Sequence, residues 1–316
     1  MNLMYISLRQ QYKRLKRHLR RIAYATLTLS SSVILAGCVT ADSASVQLVS
    51  NDTLDGGSTP LCQGVTSQVS MQQEPSFQKV SISHGGRLNP DDISLLNWNI
   101  YKGNGEEWER DLSHFARNHN LMTIQEAYLD ESLLSILQEN GFEWVMNAAF
   151  HLDNLPAGVM NLADVRPVRS CGFKTKEPII RVPKSVLVSY YDIDGHDEHL
   201  LVANIHGINF TLGLEVYRQQ LRQLHDAIMH HQGPMIVAGD FNSWSEVRFL
   251  EVEQLLEDLS LSSLKYKVNN KTHLFGNALD HVFYRGLEPV SNRVYEVSSS
   301  DHNPISVSFR LSSSWL

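Results

Sequence analysis

Cysteine is scarce in this sequence, and long hydrophobic runs are absent. The three cysteines stand at positions 38, 62 and 171, and no two of them are paired at zinc-finger spacing, which argues against a structural zinc site. The apolar stretch from Ile22 to Leu35 is short and diluted by hydroxyl residues, so it is too weak for a stable membrane-spanning helix. The sequence has no internal repeat of fixed period, so a repeat architecture is not expected.

Acidic residues are missing from the first 37 positions, which carry seven Lys or Arg residues. A basic stretch through Arg21, the apolar stretch and Leu35-Ala36-Gly37-Cys38 follow one another, an order typical of an export signal. The tetrapeptide resembles the lipobox of bacterial lipoproteins. We therefore predict a signal segment over residues 1–37, lipidation at Cys38 and a lipid-anchored location at the cell envelope, outside the cytoplasm. Because the basic stretch is unusually long, a leader on a cytoplasmic protein is the alternative.

Basic residues are missing from the next segment. Residues 39–78 contain no Lys or Arg and few large apolar groups, which predicts a polar tether or surface wrap over residues 38–90 and a folded domain over residues 91–316. If Cys38 is acylated, Cys62 and Cys171 remain as an even pair that an oxidising envelope could join. The sequence alone does not show that the two lie close enough to bond.

The net charge of the body limits its partners. Removing the seven N-terminal basic residues from the total of 27 leaves 20 against 34 acidic residues, a net charge near −14. Long nucleic acids bind largely through Lys and Arg residues that neutralise phosphates. The body is therefore a poor binder of polyanions overall, although a local basic patch stays open. Candidates near the motifs below are Lys102, Lys176, Arg181 and Lys184.

Short β-type runs alternate with amphipathic helical windows, and the length suits a single α/β domain. Strands are predicted over Ile93–Ile100, Leu121–Gln125, Ser185–Ile193, His199–Ile205, Met235–Ala238, Val282–Tyr284 and Ile305–Phe309. Helices are predicted over residues 106–119, from the capping Asp130 to Gly141, and over residues 214–231. Asp194-Gly195 is a hairpin signal. The pattern predicts mixed sheets with helices outside, a layered α/β architecture.

Polar groups stand at the ends of several predicted strands. Gly239-Asp240-Phe241-Asn242 directly follows a buried strand, and its carboxylate and amide oxygens suit Mg²⁺ or Mn²⁺. Alone, the tetrapeptide fits a strand-to-loop turn equally well. The other strand-end motifs are Trp98-Asn99, Gln125-Glu126, Asn204-Ile205-His206, Leu279-Asp280-His281 and Ser300-Asp301-His302. A rigid sheet would present such groups to one cleft.

In order and wording, these motifs resemble those of the endonuclease/exonuclease/phosphatase superfamily, across residues 93–310. The resemblance implies a DNase I-like fold of the α/β (α+β) class. Such a fold is a four-layer sandwich, in which two mixed, mostly antiparallel sheets pack face to face and are flanked by helices. Three longer stretches, residues 96–102, 204–210 and 280–286, are similar to an uncharacterised proteobacterial YafD-like branch, which names no substrate.

The resemblance also implies a metal site and an activity. Glu126 would be the principal ligand, with Asp301 and Asn99 helping to hold Mg²⁺ or Mn²⁺ or its waters. The implied activity is the divalent-metal-dependent hydrolysis of phosphodiester bonds, with phosphomonoesters as a further option. A metal is suited to this reaction because it stabilises the charge that develops on the phosphoryl group.

The catalytic groups follow from the same resemblance. Asp240 and Asn242 would position the attacking water and the scissile phosphate. Asp280 would hold the imidazole of His302 so that its free nitrogen accepts or delivers a proton. His206 would contact the phosphate from the other side, although its position alone favours a histidine of the core.

Two weaker candidates for contacts with the substrate phosphate are Lys176 and Asn209. Lys176-Glu177-Pro178 resembles a segment in which DNase I-like nucleases turn a basic residue towards the phosphate, but a solvated surface charge is the better interpretation of Lys176. His281 stands beside Asp280 without a matched role, so we interpret it as structural.

The predicted substrate is a phosphodiester that is small, part of a lipid or part of a single-stranded nucleic acid. One alternative is a nuclease acting on DNA or RNA, although the acidic body disfavours duplex DNA. An alternative of another class is a non-catalytic binding protein that retains the fold; the complete set of motif residues disfavours it. No protein partner is evident from the sequence.

Overall fold

The computed structural model of the protein describes residues 39–40, 47–50, 53–58, 62, 86–313 and 315. The predicted signal segment, residues 1–37, and the predicted lipidation site at Cys38 lie outside the described residues. Within the described part, no helix is long and apolar enough to cross a membrane.

Seventeen strands and four α-helices form the described part of the chain. The strands are β1 Val39–Thr40, β2 Gln47–Ser50, β3 Thr53–Ser58, β4 Ile93–Asn99, β5 Leu121–Tyr128, β6 Glu143–Leu152, β7 Leu155–Ala163, β8 Arg169–Lys176, β9 Pro183–Asp192, β10 His199–His206, β11 Met235–Asp240, β12 Ser262–Ser263, β13 His273–Leu274, β14 Asn277–Ala278, β15 Asp280–Arg285, β16 Leu287–Val294 and β17 Ile305–Leu311. The helices are α1 Trp108–Ala116, α2 Glu131–Glu139, α3 Glu215–Ile228 and α4 Glu246–Asp258, and a 3-10 turn covers Tyr101–Gly103.

The first sheet has the strand order β16-β17-β4-β5-β7-β6-β2-β3. Along this order β4 and β5 pair in parallel, and the other neighbours pair antiparallel. A parallel pair needs a crossover connection, and α1 supplies it. The register sets Asn99 opposite Gln125, so the end of β4 lies beside the part of β5 that carries Glu126.

The second sheet has the order β12-β15-β11-β10-β9-β8. Here β10 and β11 are parallel, with α3 in the crossover, and the register pairs His206 with Asp240. β11 and β15 are antiparallel and pair Asp240 with Asp280. Three polar residues therefore come together at one end of this sheet.

The two sheets pack face to face, and the helices cover their outer faces. Leu112 of α1 clusters with Leu96 of β4 on the outer face of the first sheet, and Leu224 of α3 clusters with Val237 of β11 on the outer face of the second. A third cluster joins residues of β4 and β5 with residues of β10 and β11 between the sheets. The predicted four-layer sandwich of the α/β (α+β) class is confirmed.

Most predicted elements are present, but several elements were missed. Asp130 caps α2 by accepting a hydrogen bond from the Leu133 backbone nitrogen at 2.9 Å, and Gly141 follows the helix at a φ of 68°, as a helix stop requires. The sequence patterns did not predict β6, β7, β8, β16 or α4. β7 and β16 contain proline at Pro156 and Pro289, a residue that argues against a central strand.

Parts of the segment for which we predicted a polar tether or surface wrap, residues 38–90, form strands in the described structure. β2 and β3 extend the first sheet beside β6, and Leu48 and Val49 are buried. Cys62 is joined by a disulfide to Cys171 of β8, with their Cα atoms 5.0 Å apart. Because backbone hydrogen bonds hold the edge of a sheet, a segment with few apolar residues can still join it.

Candidate catalytic site

The predicted catalytic residues meet where strands of both sheets end. The strand-end residues are Asn99 on β4, Glu126 near the end of β5, His206 on β10, Asp240 on β11 and Asp280 at the start of β15. His302 precedes β17, and the Trp98 indole donates a hydrogen bond to its carbonyl at 3.0 Å. The packing of the two sheets therefore assembles motifs that are far apart in the sequence.

His302 lies between two buried carboxylates. Its Nδ1 is 2.8 Å from Asp280 Oδ2, and its Nε2 is 3.9 Å from Asp240 Oδ2. Burial lowers the pKa of His302, but the charges of Asp280 and Asp240 outweigh burial and hold that pKa well above its usual value. An imidazole oriented by a carboxylate can transfer protons in catalysis.

Asp240 is held from several sides. Burial raises the pKa of Asp240 to about 6; the Asp280 charge acts in the same direction and His302 opposes it. The side-chain amides of Asn99 and Asn242 each donate to Asp240 Oδ2 at 3.2 Å, and the Asn242 backbone nitrogen donates to Oδ1 at 2.9 Å. The carboxylate is therefore fixed in orientation, and burial makes it a stronger base than an exposed aspartate.

Glu126 faces a group of cationic and imidazole side chains. Lys102 forms a short ion pair with Oε2, and His206 Nε2 lies 3.8 Å from Oε1. Burial raises the pKa of Glu126, but Lys102, Lys184 and His206 lower it more, so the carboxyl titrates far below its usual range. Glu126 has a φ of 53°, and β5 is bulged against β7 here, which turns the side chain towards the site.

His206 links Glu126 and Asp240. Its Nε2 is 3.5 Å from Asp240 Oδ2 and 2.7 Å from Lys184 Nζ. Burial and then the nearby Lys184 ammonium lower the pKa of His206 well below its usual value. The imidazole is therefore neutral at pH 7, and Nε2 can accept a hydrogen bond from Lys184.

Lys176, the lysine predicted to contact the substrate phosphate, does not belong to this cluster. Lys176 is exposed at the end of β8, whereas Lys102 and Lys184 contact Glu126 and His206. The structure therefore favours the surface-charge interpretation of Lys176.

The remaining sequence candidates lie beside the cluster. The side-chain oxygen of Asn209 accepts a hydrogen bond from the Trp244 indole at 3.1 Å, so part of its hydrogen-bonding capacity is already used. His281 is buried, with Nε2 2.8 Å from Ser243 Oγ and its ring stacked on Phe283. These contacts agree with the structural interpretation of His281.

Arg248 is a positioning residue that the sequence patterns did not reveal. It is buried in α4 and donates to the carbonyls of Ile208 at 2.6 Å, Asn242 at 2.9 Å and Asn209 at 2.8 Å. It therefore ties the loop after β10 to the loop after β11. The available signal was its place on the apolar face of the helix, four residues before the buried Val252, where a charge is unexpected.

Comparisons with known proteins agree with this geometry. The profile described as Endonuclease/Exonuclease/phosphatase family matches residues 96–302. The chain belongs to this family. A UPF0294 protein from Vibrio campbellii is 41% identical over 223 residues, which cover 70% of this chain and 78% of that protein. Because the UPF0294 proteins are YafD-like, the narrower resemblance is confirmed as well.

Two solved structures show the same fold. The human Nocturnin catalytic domain with a bound sulfate anion superimposes with a TM-score of 0.55 at 18% identity, over 72% of this chain and 97% of that one. ANGEL2, described as a 2′,3′-cyclic phosphatase in complex with adenosine-2′,3′-vanadate, has a TM-score of 0.55 at 15% identity, over 73% and 99% of the two chains. The predicted DNase I-like fold is confirmed.

The residues of this family member fit a divalent metal ion. Asp240, Asp280 and His302 offer ligand atoms within 4.8 Å of one another, so this buried group could hold a metal. Asp280 Oδ1 is buried and has no hydrogen-bond partner among the described residues. An unsatisfied buried carboxylate oxygen is costly, and a cation would satisfy it.

A second observation supports a cation near Glu126. Burial lowers the pKa of Lys102, but Glu126 and, after it, Asp301 raise that pKa by more than burial lowers it. Both carboxylates therefore act on one ammonium group. Oxygen ligands of this kind are those that Mg²⁺ prefers. A divalent ion and the Lys102 ammonium are therefore alternative partners for the same carboxylates.

Proposed function

We propose that this protein hydrolyses phosphodiester bonds with the help of Mg²⁺ or Mn²⁺, with phosphomonoesters as a second option. The observation that carries the proposal is the Asp280–His302 contact of 2.8 Å within a buried cluster that also contains Asp240. Family membership supports a hydrolase. The description of ANGEL2 as a 2′,3′-cyclic phosphatase supports a phosphodiester as the substrate.

Two groups of this site could hold a cation, and we place the metal at Glu126 and Asp301, which leaves Asp240, Asp280 and His302 for proton transfer. Asn99 would help to hold the metal only indirectly, because both ends of its side-chain amide are already engaged. The nitrogen donates to Asp240, and the oxygen accepts from the Tyr101 backbone nitrogen at 3.1 Å. When bound, the metal supplies positive charge that stabilises the phosphoryl oxygens.

The side chains of the cluster divide the proton transfers. Asp240, ionised above a pH of about 6, takes a proton from the attacking water, and Asn242 helps to position it. The water oxygen bonds to phosphorus while the bond to the leaving oxygen breaks. His302, protonated beside Asp280, delivers a proton to that leaving oxygen, so that a diester and water give a phosphomonoester and an alcohol. His206 contacts a phosphate oxygen from the other side.

A panel of substrates tests this proposal directly. Soluble diesters, phosphomonoesters, phospholipids and single-stranded and duplex nucleic acids are assayed with Mg²⁺, with Mn²⁺ and with EDTA. Turnover of at least one diester is expected with either metal and is lost in EDTA. Turnover that EDTA leaves unchanged contradicts the role of the metal. Binding without turnover of any substrate favours the non-catalytic alternative.

Long duplex DNA is expected to bind weakly. Of the four basic candidates near the motifs, Lys102 and Lys184 are engaged by Glu126 and His206, which leaves Lys176 and Arg181 exposed. Two phosphate contacts predict a slope of about −2 for log affinity against log salt concentration. Titration of a labelled duplex at several salt concentrations measures this slope.

Submicromolar affinity at about 0.15 M salt, with a slope that implies six or more phosphate contacts, would contradict the prediction and favour a nuclease. A single strand of equal length is the control, because it separates general phosphate attraction from recognition of the duplex.

We further propose that the protein is lipid-anchored at the cell envelope through Cys38. Intact-mass analysis of the natively expressed protein is expected to show a chain that begins at an acylated Cys38 and contains a Cys62–Cys171 disulfide. Cys38→Ser is the matched variant and should lose the mass of the lipid. An N-terminus at Met1 with three free thiols would instead indicate a cytoplasmic protein.

A further inference from the structure

The loops that carry the candidate site also carry exposed apolar side chains. Five such side chains form what we call the apolar rim: Ile179, Ile180, Phe210, Leu212 and Phe275, of which Leu212 is 90% and Phe275 80% exposed. The isoleucines lie in the β8–β9 loop, ahead of Lys184 on β9. Phe210 and Leu212 follow His206, and Phe275 lies in the turn between β13 and β14 that precedes Asp280. Scattered single apolar residues on a surface need no explanation, but a group around a site does.

Contacts between the loops show that the loops carrying the rim are adjacent. The Glu177 carboxylate accepts hydrogen bonds from the backbone nitrogens of Asn209 at 2.6 Å and Phe210 at 3.2 Å, which joins the β8–β9 loop to the loop after β10. The Trp244 indole donates to the Asn209 side chain, and the Trp244 ring centroid lies 6.1 Å from that of Phe275. The three loops are therefore neighbours beside the site.

The charges around the rim suit a layer of phosphate groups. Lys176 and Arg181 are exposed in the β8–β9 loop, while Glu177 between them is buried and turned towards the backbone of the next loop. Two exposed acids begin the helices that follow the other loops. Glu215 begins α3 and is paired with Arg222 at 3.2 Å, and Glu246 begins α4. Apolar tips with adjacent basic groups can lie at the boundary between acyl chains and headgroups.

We propose that the apolar rim docks on the surface of a phospholipid bilayer and that the substrate is a lipid phosphodiester held in that bilayer. The proposal rests on the proposed function and names its substrate class. A body with a net charge near −14 gains little from long-range attraction to a membrane, so apolar insertion must supply the affinity. Each Leu or Phe side chain removed from water favours binding by about tenfold or more.

Binding to vesicles tests the rim without any catalysis. The mature chain is produced from residue 39 onward, so that neither acylation nor the predicted signal segment can contribute, and is sedimented with phosphatidylcholine vesicles at about 0.15 M salt. The further double change Leu212→Ser and Phe275→Ser is expected to weaken binding at least about tenfold. Val290→Ser is the matched control, because Val290 is 64% exposed on β16; it should bind like the parent chain.

A parent chain that does not sediment with vesicles overturns the proposal, as does a rim variant that binds as well as the control. Thermal unfolding of all three chains checks that the folded state is equally stable, which the exposure of the changed residues leads us to expect.

Hydrolysis assays then test the lipid substrate separately from the general hydrolysis of phosphodiesters. Turnover of a phospholipid in vesicles is divided by turnover of soluble bis(p-nitrophenyl) phosphate, with Mg²⁺ or Mn²⁺, and the rim variant should lower this ratio at least about tenfold. If both variants hydrolyse the soluble diester but the parent chain leaves the lipid intact, the lipid substrate is wrong and the proposed function stands. If binding follows the rim but no diester is hydrolysed, the proposed function is wrong and only the docking stands.

Discussion

Glu126→Gln is expected to lower metal-dependent turnover by at least about two orders of magnitude. The substitution keeps the side-chain volume but removes the negative charge that faces Lys102 and the proposed metal. In the variant, Lys102 and Lys184 would confront a neutral amide, so the local charge would favour anions over a divalent cation. Initial rates at saturating Mg²⁺, together with calorimetric titration of Mn²⁺, measure the two consequences separately.

A matched control is available at Glu251, which forms an ion pair with Arg218 at 2.7 Å on the helices outside the second sheet. Glu251→Gln should keep full activity and the same affinity for Mn²⁺, because exposed ion pairs contribute little. Undiminished Mg²⁺-dependent turnover in Glu126→Gln would show that Glu126 is not a metal ligand. Far-UV circular dichroism of the variant should match that of the parent protein.

His302→Ala and Asp280→Asn are each expected to lower turnover by at least about two orders of magnitude. Asp280 holds the His302 imidazole at 2.8 Å and keeps its pKa well above the usual value, against the effect of burial. An amide at position 280 removes that charge, so it no longer stabilises the protonated ring or fixes which ring nitrogen carries the proton. Because the two residues act as a unit, the double variant should be little slower than either single one.

The surface offers a His–Asp pair at the same distance as a control. His199 Nδ1 lies 2.8 Å from Asp192 Oδ1 in the β9–β10 hairpin, where both side chains are partly exposed. His199→Ala and Asp192→Asn should leave turnover unchanged. If the losses at His302 and Asp280 multiply independently, the two residues do not cooperate, and the proposed acid–base pair is wrong.

Sequence patterns located the strand ends that carry the site because the signals there are local. A buried run followed by Gly239-Asp240-Phe241-Asn242 marks a strand exit, and the structure places that exit at the end of β11. The same holds for the cap at Asp130, whose hydrogen bond spans three residues. Patterns were less informative for β7 and β16, because proline interrupts both strands and β16 also carries exposed polar residues; neighbouring strands support both.

Sequence patterns could not predict contacts between residues that are far apart in the chain. Lys102 meets Glu126 across 24 positions and Arg248 meets Ile208 across 40, and neither pair has a spacing that indicates contact. The disulfide between Cys62 and Cys171 likewise joins residues that are 109 positions apart. For that pair, composition indicated only that the number of cysteines would allow a bond.

The sequence by itself determined the fold class, the family and the residue types that the chemistry requires, because hydrophobic period and strand-end motifs depend on near neighbours. The tertiary structure alone decided which charges face one another and which apolar side chains stay exposed around the site. The register of strand pairing and the packing of the two sheets set the distances between these groups. Both depend on contacts between residues spread along the whole chain. For that reason Asp240 acquires a pKa of about 6, a property that burial confers on it and that no sequence motif records.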